Sequence, residues 1–211
     1  AAVPGLRTRG LGVERGGERA VAGVAGPGAL VACGSRPGEV RALVNHPVVG
    51  LPAAFSTEAP GSTFKVVVAA AALAHGVTPD TMVECPAKVV FGGKEFGNDE
   101  PLPPRMTFAT AFARSCNTAF LKVADGFPKG TAAATAKEFG FDRGDLLPIA
   151  GHGGQVPPPS NTTEAYADII GQGRVEASPL LLASMSAAVA SGTWRAPHLV
   201  AGDTASSPLV P

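Results

Sequence analysis

Ser62 and Lys65 stand three residues apart in the run Gly61-Ser-Thr-Phe-Lys65. On a helix that spacing sets both side chains on one face, about one turn apart. A serine hydroxyl is a weak nucleophile until a base takes its proton. A lysine amine can be that base when burial or a nearby positive charge lowers its pKa. A helix N-terminus adds a positive field and unpaired backbone N–H groups, which favour a developing oxyanion. Pro60-Gly61 give a sharp entry that could expose the hydroxyl, while Phe64 points elsewhere and packs. The pair reads as nucleophile and base for acyl transfer. Taken alone, the commoner reading is a capping serine followed by a solvated lysine.

A second cluster is Ser115-Cys116-Asn117, at a corner of two or three residues between predicted helices. A Ser and an Asn separated by one residue at such a corner can project the same way. The Ser115 hydroxyl can relay a proton between Lys65 and a leaving group. The Asn117 amide can hold a substrate backbone and bond Lys65. The bland reading is a pair of capping residues. No other Ser-x-x-Lys or Ser-x-Asn occurs in the sequence. Cys116 could be a thiol nucleophile, but no histidine lies close in sequence to activate it, and a small buried apolar role is favoured. His46, His75, His152 and His198 show no metal-ligand spacing. His152 lies in a Gly-rich run, GHGG at 151–154, that reads as a surface loop and makes a poor phosphate cradle.

The elements that must position these residues follow from local signals. Residues 1–28 read as a linker or lead-in helix. A strand at 29–33, a turn at 34–39 and a strand at 40–44 make a hairpin. Residues 62–74 are Ala-rich and helical, with Gly76 as the stop. Short β-prone pieces, MVEC and KVVF, lie in an irregular stretch at 81–104. Thr107 caps a helix to about Arg114, and two more helices span about 118–125 and 131–139. Residues 148–163 read as a loop. The last helix has Ser178 at the cap, Pro179 at its first position and Gly192 at its stop, and Trp194 is expected to pack behind it. Hairpin, helix block and long buried helix together predict an α+β domain, with helices packed on an antiparallel sheet.

Composition narrows the function. The chain has 211 residues, 45% of them hydrophobic, enough for a sizeable core. Lys+Arg and Asp+Glu balance at 17 each, with no basic stripe, which argues against nucleic acid. No apolar run is long enough to span a membrane, and the N-terminal run AAVPGLRTRG is not a signal peptide. An odd, sparse set of cysteines (Cys33, Cys85, Cys116) argues against a disulfide framework but leaves one bridge open.

The run PGSTFKVVVAAAAL at 60–73 resembles the active-site helix of class B penicillin-binding proteins, the peptidoglycan D,D-transpeptidases. The resemblance continues through ALVACGSRPGEVRALVNHP at 29–47, FGNDEP at 96–101, FATAFARSCNTAFLKVAD at 108–125 and IIGQGRVEASPLLLASMSAAVASGTWRAPHLV at 169–200. It is nearest to actinobacterial members with short loops. It implies the penicillin-binding/serine β-lactamase-like fold, an antiparallel sheet flanked by a helical subdomain, over residues 29–211. It also implies Ser62 as the acylated nucleophile, Lys65 as base, Ser115 as proton relay and Asn117 as a binder of the donor peptide amide. The partners implied are peptidoglycan stem peptides, β-lactams and cell-wall synthesis proteins, with no metal and no organic cofactor. The implied location is the extracytoplasmic face of the cell membrane, with an N-terminal anchor outside this chain. The family's third motif, Lys-Thr-Gly or Lys-Ser-Gly, is absent, since no lysine follows Lys137. The expectation is that this strand lies beyond the 211 residues, so that they hold part of a site and are not fully competent alone. A degenerate homologue is the other account. A class D-like β-lactamase also resembles the STFK tetrad, but has an aliphatic residue where Asn117 stands. A non-catalytic transpeptidase-like sensor or scaffold is the remaining alternative.

Overall fold

The computed structural model describes residues 10–35, 38–46, 56–147, 149–199 and 206–208, with the side chains of 145–147, 149–152 and 206–208 excepted. Helix α1 (Leu11–Val21) leads into strands β1 (Gly28–Cys33) and β2 (Val40–His46). A 3₁₀ turn (Gly61–Phe64) runs into α2 (Lys65–Ala74). Strands β3 (Met82–Glu84), β4 (Lys88–Phe91), β5 (Lys94–Gly97) and β6 (Arg105–Thr107) precede α3 (Phe108–Ala113), α4 (Asn117–Asp125) and α5 (Thr131–Glu138). Then come β7 (Asp145–Leu147), β8 (Ile149–His152), β9 (Gly154–Gln155), α6 (Thr162–Ile169), β10 (Glu176–Ala177), α7 (Pro179–Ser191), β11 (Thr193–Arg195) and β12 (Ser206–Pro208). The chain divides into two compact units.

The first unit draws on Ala1–Glu58, Lys137–Gln155 and Ala177–Leu209. Its centre is the antiparallel β1–β2 hairpin, paired from Gly28 and His46 to Cys33 and Val40. Residues 11–21 are not a linker but a helix laid on this hairpin. At Gly17 a Cβ would stand 3.0 Å from Val44 and 3.1 Å from Leu30. Val21 joins Ala42 and Val44 in a buried cluster, with Leu30 and Ala32 against it. Helix α7 packs on β1 and β11. Its ends are formed as the sequence requires. The Ser178 side chain accepts the Leu181 N–H at 3.1 Å, Pro179 needs no donor at the first position, and Gly192 adopts φ 70° at the stop. Trp194 is buried behind this helix, and its Nε1 donates to Ser184 Oγ at 3.4 Å.

The second unit draws on Ala59–Ala136, Val156–Glu176 and Val210–Pro211. Helix α2 packs on α4. The small side chains of its Ala run let the two approach, and Val67, Val68, Ala71 and Ala72 are buried. Phe120 of α4 meets the rings of Phe108 and Phe112 at 5.4 and 6.0 Å. The β4–β5 hairpin lies on α6. Phe91 stacks on Tyr166 at 3.9 Å, and Phe96 is buried with Leu121, Ala167 and Ile170. Strands β3 and β6 pair antiparallel.

Some expectations are corrected. The helix expected over 62–74 begins as a 3₁₀ turn and becomes α-helical only at Lys65. The irregular stretch at 81–104 holds three of four short strands, and β6 closes onto β3 just beyond it. The loop expected over 148–163 contains β8 and β9 and the start of α6, whose cap is Asn161, accepting the Glu164 N–H at 2.9 Å. The first nine residues of the lead-in, Arg36 and Pro37 of the turn, Pro47 and the tail from 209 lie outside the described residues, as does the side chain of His152.

The Ser178 cap yields a stability prediction. Replacing it by alanine leaves the Leu181 N–H buried without an acceptor. Ser178→Ala is expected to lower the unfolding free energy by about 1 to 2 kcal/mol, and Ser178→Gly by less, in urea melts.

Candidate active site

Four side chains singled out from sequence converge at one point in the second unit. The Lys65 amine is at the centre. Its Nζ lies 3.1 Å from Ser62 Oγ, 2.8 Å from Ser115 Oγ, 2.8 Å from the Ser115 carbonyl oxygen and 2.5 Å from Asn117 Oδ1. Lys65 is 1% exposed, whereas Ser62 is exposed. The Ser62 hydroxyl therefore faces solvent and the Lys65 amine does not.

The 3₁₀ turn accounts for the first pair. In that geometry side chains i and i+3 eclipse, which brings Ser62 and Lys65 closer together than an α-turn would. The entry is fixed from behind. The Gly61 N–H donates to the Gly171 carbonyl at 2.9 Å.

The second pair depends on how α3 ends. The Ser115 N–H donates to Phe112 O at 3.0 Å, and the Cys116 N–H to Ala111 O at 2.9 Å. These are the two bonds of a Schellman motif, and Ser115 occupies its left-handed position, with φ 54°. Glycine usually fills that position, because a Cβ there costs about 1 to 2 kcal/mol. Cys116 follows as the N-cap of α4, so Asn117 is that helix's first residue. The Asn117 amide is oriented at both ends, with Oδ1 accepting from Lys65 and Nδ2 donating to Gly97 O at 3.0 Å. The bond to Lys65 expected of Asn117 is thus present.

Cys116 is fully buried, as expected, but it is not a free thiol. It is bridged to Cys85 across 31 residues. Spacing left one bridge open and could not pick the pair. Cys33 is the free cysteine, and burial pushes its thiol up to about 11. Thr118 and Asn98 support the same corner. The Thr118 N–H donates to Asn98 Oδ1 at 3.2 Å, and Asn98 Nδ2 donates to Pro86 O at 3.1 Å. Sequence reasoning missed the Gly97 carbonyl and Asn98. Both fall in FGNDEP, whose Asn was visible but whose contacts are long-range.

The electrostatics suit a base. Burial lowers the Lys65 pKa from 10.5 to about 8, against the opposing pull of Asp99. A neutral amine has two hydrogens and one lone pair. Ser115 O and Asn117 Oδ1 can only accept, so they take the hydrogens. The lone pair is left for a hydroxyl proton, from Ser62 or Ser115. The arrangement can therefore take a proton from one serine and return it through the other. Among the described residues no cluster of His, Cys, Asp and Glu could hold a metal ion.

Comparison with known proteins agrees with this geometry. The penicillin binding protein transpeptidase domain model matches residues 28–208. The chain belongs to that family. The peptidoglycan D,D-transpeptidase PbpA of Mycolicibacterium smegmatis is 33% identical over 158 residues, which are 68% of this chain and 31% of the relative. The chain thus spans about a third of the length of the curated relatives it matches. Among solved structures, the ceftriaxone acyl-enzyme complex of penicillin-binding protein A from M. tuberculosis superposes with a TM-score of 0.83 at 26% identity, covering 92% of this chain and 52% of that one. A chain from a structure of a peptidoglycan synthase complex that coordinates polymerization and crosslinking matches with a TM-score of 0.76 at 29% identity, covering 92% of this chain and 42% of that one. The expected penicillin-binding fold, mixed α+β with antiparallel strands, is the fold found.

The Schellman position yields a second prediction. Ser115→Gly removes the left-handed strain and is expected to raise the unfolding free energy by up to about 1 kcal/mol, read as a higher thermal midpoint. A lower midpoint would show that the Ser115 hydroxyl contributes more than its backbone costs.

Proposed function

We propose that this chain carries the serine acyl-transfer site of a peptidoglycan D,D-transpeptidase. The observation that carries the reading is the Lys65 amine, buried, lowered to about 8 and within reach of two serine hydroxyls. Ser62 Oγ attacks the carbonyl of a D-Ala-D-Ala peptide bond while Lys65 takes its proton. The tetrahedral oxyanion collapses, the C–N bond breaks, and Ser115 relays the proton to the departing D-Ala amine. This leaves an ester on Ser62. The amine of a second stem peptide then attacks the ester, forms the cross-link and returns Ser62 to its hydroxyl form. Asn117 Nδ2 gives one hydrogen to Gly97 O, and its second hydrogen is assigned to hold the donor peptide backbone. β-Lactams acylate the same serine, in keeping with the acyl-enzyme complex named for the M. tuberculosis relative.

The whole protein's partners follow from the same reading. They are stem peptides, β-lactams and proteins of cell-wall synthesis. We place it on the extracytoplasmic face of the membrane. The Cys85–Cys116 bridge supports an oxidising compartment. No described helix is long and apolar enough to cross a membrane. Neither Lys-Thr-Gly nor Lys-Ser-Gly, the motif that in the family binds the substrate carboxylate, occurs in the 211 residues. Asn117 favours the transpeptidase over a class D-like β-lactamase.

A fluorescent penicillin tests the reading. The whole protein, with its complete C-terminus, is expected to gain one persistent adduct, mapped by mass spectrometry to Ser62 and lost in Ser62→Ala. Rapid turnover of the label would favour a β-lactamase, and no adduct would favour a sensor or scaffold. The acylation rate should also rise with pH through about 8, because only the neutral Lys65 amine accepts the proton and that form dominates above its pKa. A rate flat between pH 6 and pH 9.5, pH values chosen to bracket that ionisation, would remove Lys65 as the base.

A further inference from the structure

Asp168 is the one buried carboxylate among the described residues, and the acyl-transfer steps above do not use it. It sits near the end of α6. Its Oδ1 accepts the Arg174 N–H at 2.6 Å, and the Val175 N–H favours its charged form. Its main-chain carbonyl accepts the Gly171 N–H at 2.9 Å. These bonds fold residues 171–175 back onto the end of the helix. The fit is close, since a Cβ at position 173 would stand 2.1 Å from Asp168 Oδ1.

The same turn reaches the nucleophile. Gly171 O accepts the Gly61 N–H at 2.9 Å. Gly171 has φ 68°, and a Cβ there would stand 2.1 Å from Gly61 O. Gly61 opens the 3₁₀ turn and immediately precedes Ser62. One carboxylate thus holds a turn that holds the backbone from which the nucleophile projects. A side-chain oxygen at this position accepts the Arg174 N–H and so closes the turn, and a carboxylate makes that bond a charge-assisted one.

We propose that Asp168 is a positioning residue for Ser62, acting through the turn at 171–175 and Gly61. Its catalytic consequence rests on the acyl-transfer reading, while its effect on the Gly61 backbone does not. Loss of the carboxylate frees the Arg174 N–H and lets the turn drift, and small displacements of a nucleophile cost large factors in rate.

The test compares Asp168→Ala and Asp168→Asn with the unaltered protein by three measurements. These are the thermal midpoint, amide hydrogen exchange at Gly61 by NMR, and penicillin acylation of Ser62 separated into non-covalent binding and the covalent step. Asp168→Ala is expected to speed Gly61 exchange about tenfold or more. It should slow the covalent step of folded molecules by a similar factor and leave non-covalent binding within about threefold. Asp168→Asn keeps an acceptor oxygen and is expected to recover most of both. If Asp168→Ala does not fold, Asp168→Ser, whose shorter side chain does not reach the Arg174 N–H, is expected to show at least about threefold in each. A lowered midpoint with unchanged Gly61 exchange and an unchanged covalent step would overturn the proposal and leave Asp168 with general structural support only. If the unaltered protein takes no label on Ser62, the acyl-transfer reading fails, and Gly61 exchange alone decides the positioning.

Discussion

A lysine amine held out of water is the constraint on which this site depends. Burial alone would make Lys65 a liability, because an ammonium without its hydration is costly. The site offsets that cost with oxygen from separate segments. Ser62 comes from the 3₁₀ turn, the Ser115 carbonyl and hydroxyl from the α3–α4 corner, and Asn117 Oδ1 from the start of α4. The offset is incomplete, since the pKa stays near 8, down from 10.5. At about 1.4 kcal/mol per unit, the fold carries about 3 kcal/mol against the charged form. The sign follows from linkage. The native state binds fewer protons than the unfolded chain between pH 8 and 10.5, so stability from this group rises with pH across that window. A lysine serving structure alone would gain from being left charged in water. This one is kept where its proton is easily lost.

The surrounding packing delivers those oxygens. The Ala run of α2 lets α4 approach closely, and Phe120 lies under the Lys65 amine at 5.8 Å from Nζ to ring centre. The β4–β5 hairpin leads to Gly97 O, which orients the Asn117 amide. Asn98 then ties the same segment to Thr118 and Pro86. A shift of any one of these elements would move an acceptor away from a charge that cannot be solvated instead.

Much of this was legible in the residues, for identifiable reasons. Helix ends follow local chemistry, so Ser178, Pro179 and Gly192 marked α7 correctly, and Thr107 marked α3. Ser62 with Lys65, and Ser115 with Asn117, were visible because side-chain type and spacing are local too. What was hidden is set by contacts distant in sequence. Strands β5 and β6 are short and hold through partners such as Met82 opposite Thr107. Helix α6 opens on a start signal that was passed over, Asn161 with Glu164 three residues on, and is held by Phe91, Phe96 and Leu121 from elsewhere. The pairing of Cys85 with Cys116 depends on where two loops meet, which three cysteines in a line do not encode. The 3₁₀ start of the helix looked α-helical because the two share composition and differ in packing.

The corner at residues 114–117 shows why its Ser and Asn are separated by one residue. Ser115 is the left-handed residue that ends α3, and Asn117 is the first residue of α4. Cys116 alone stands between, as the second half of one helix stop and the cap of the next helix. A single left-handed residue reverses the chain, so the side chain just before the cap and the one just after it both reach Lys65. An extra residue would separate them by another Cα–Cα step of about 3.8 Å and break that convergence. The strain at Ser115 and the desolvation of Lys65 are then two costs of one geometry. The residue between the two side chains is tied to Cys85, and a disulfide offsets such native-state costs by constraining the unfolded chain. The chain is thus strained at Ser115 and crosslinked at the next residue, Cys116.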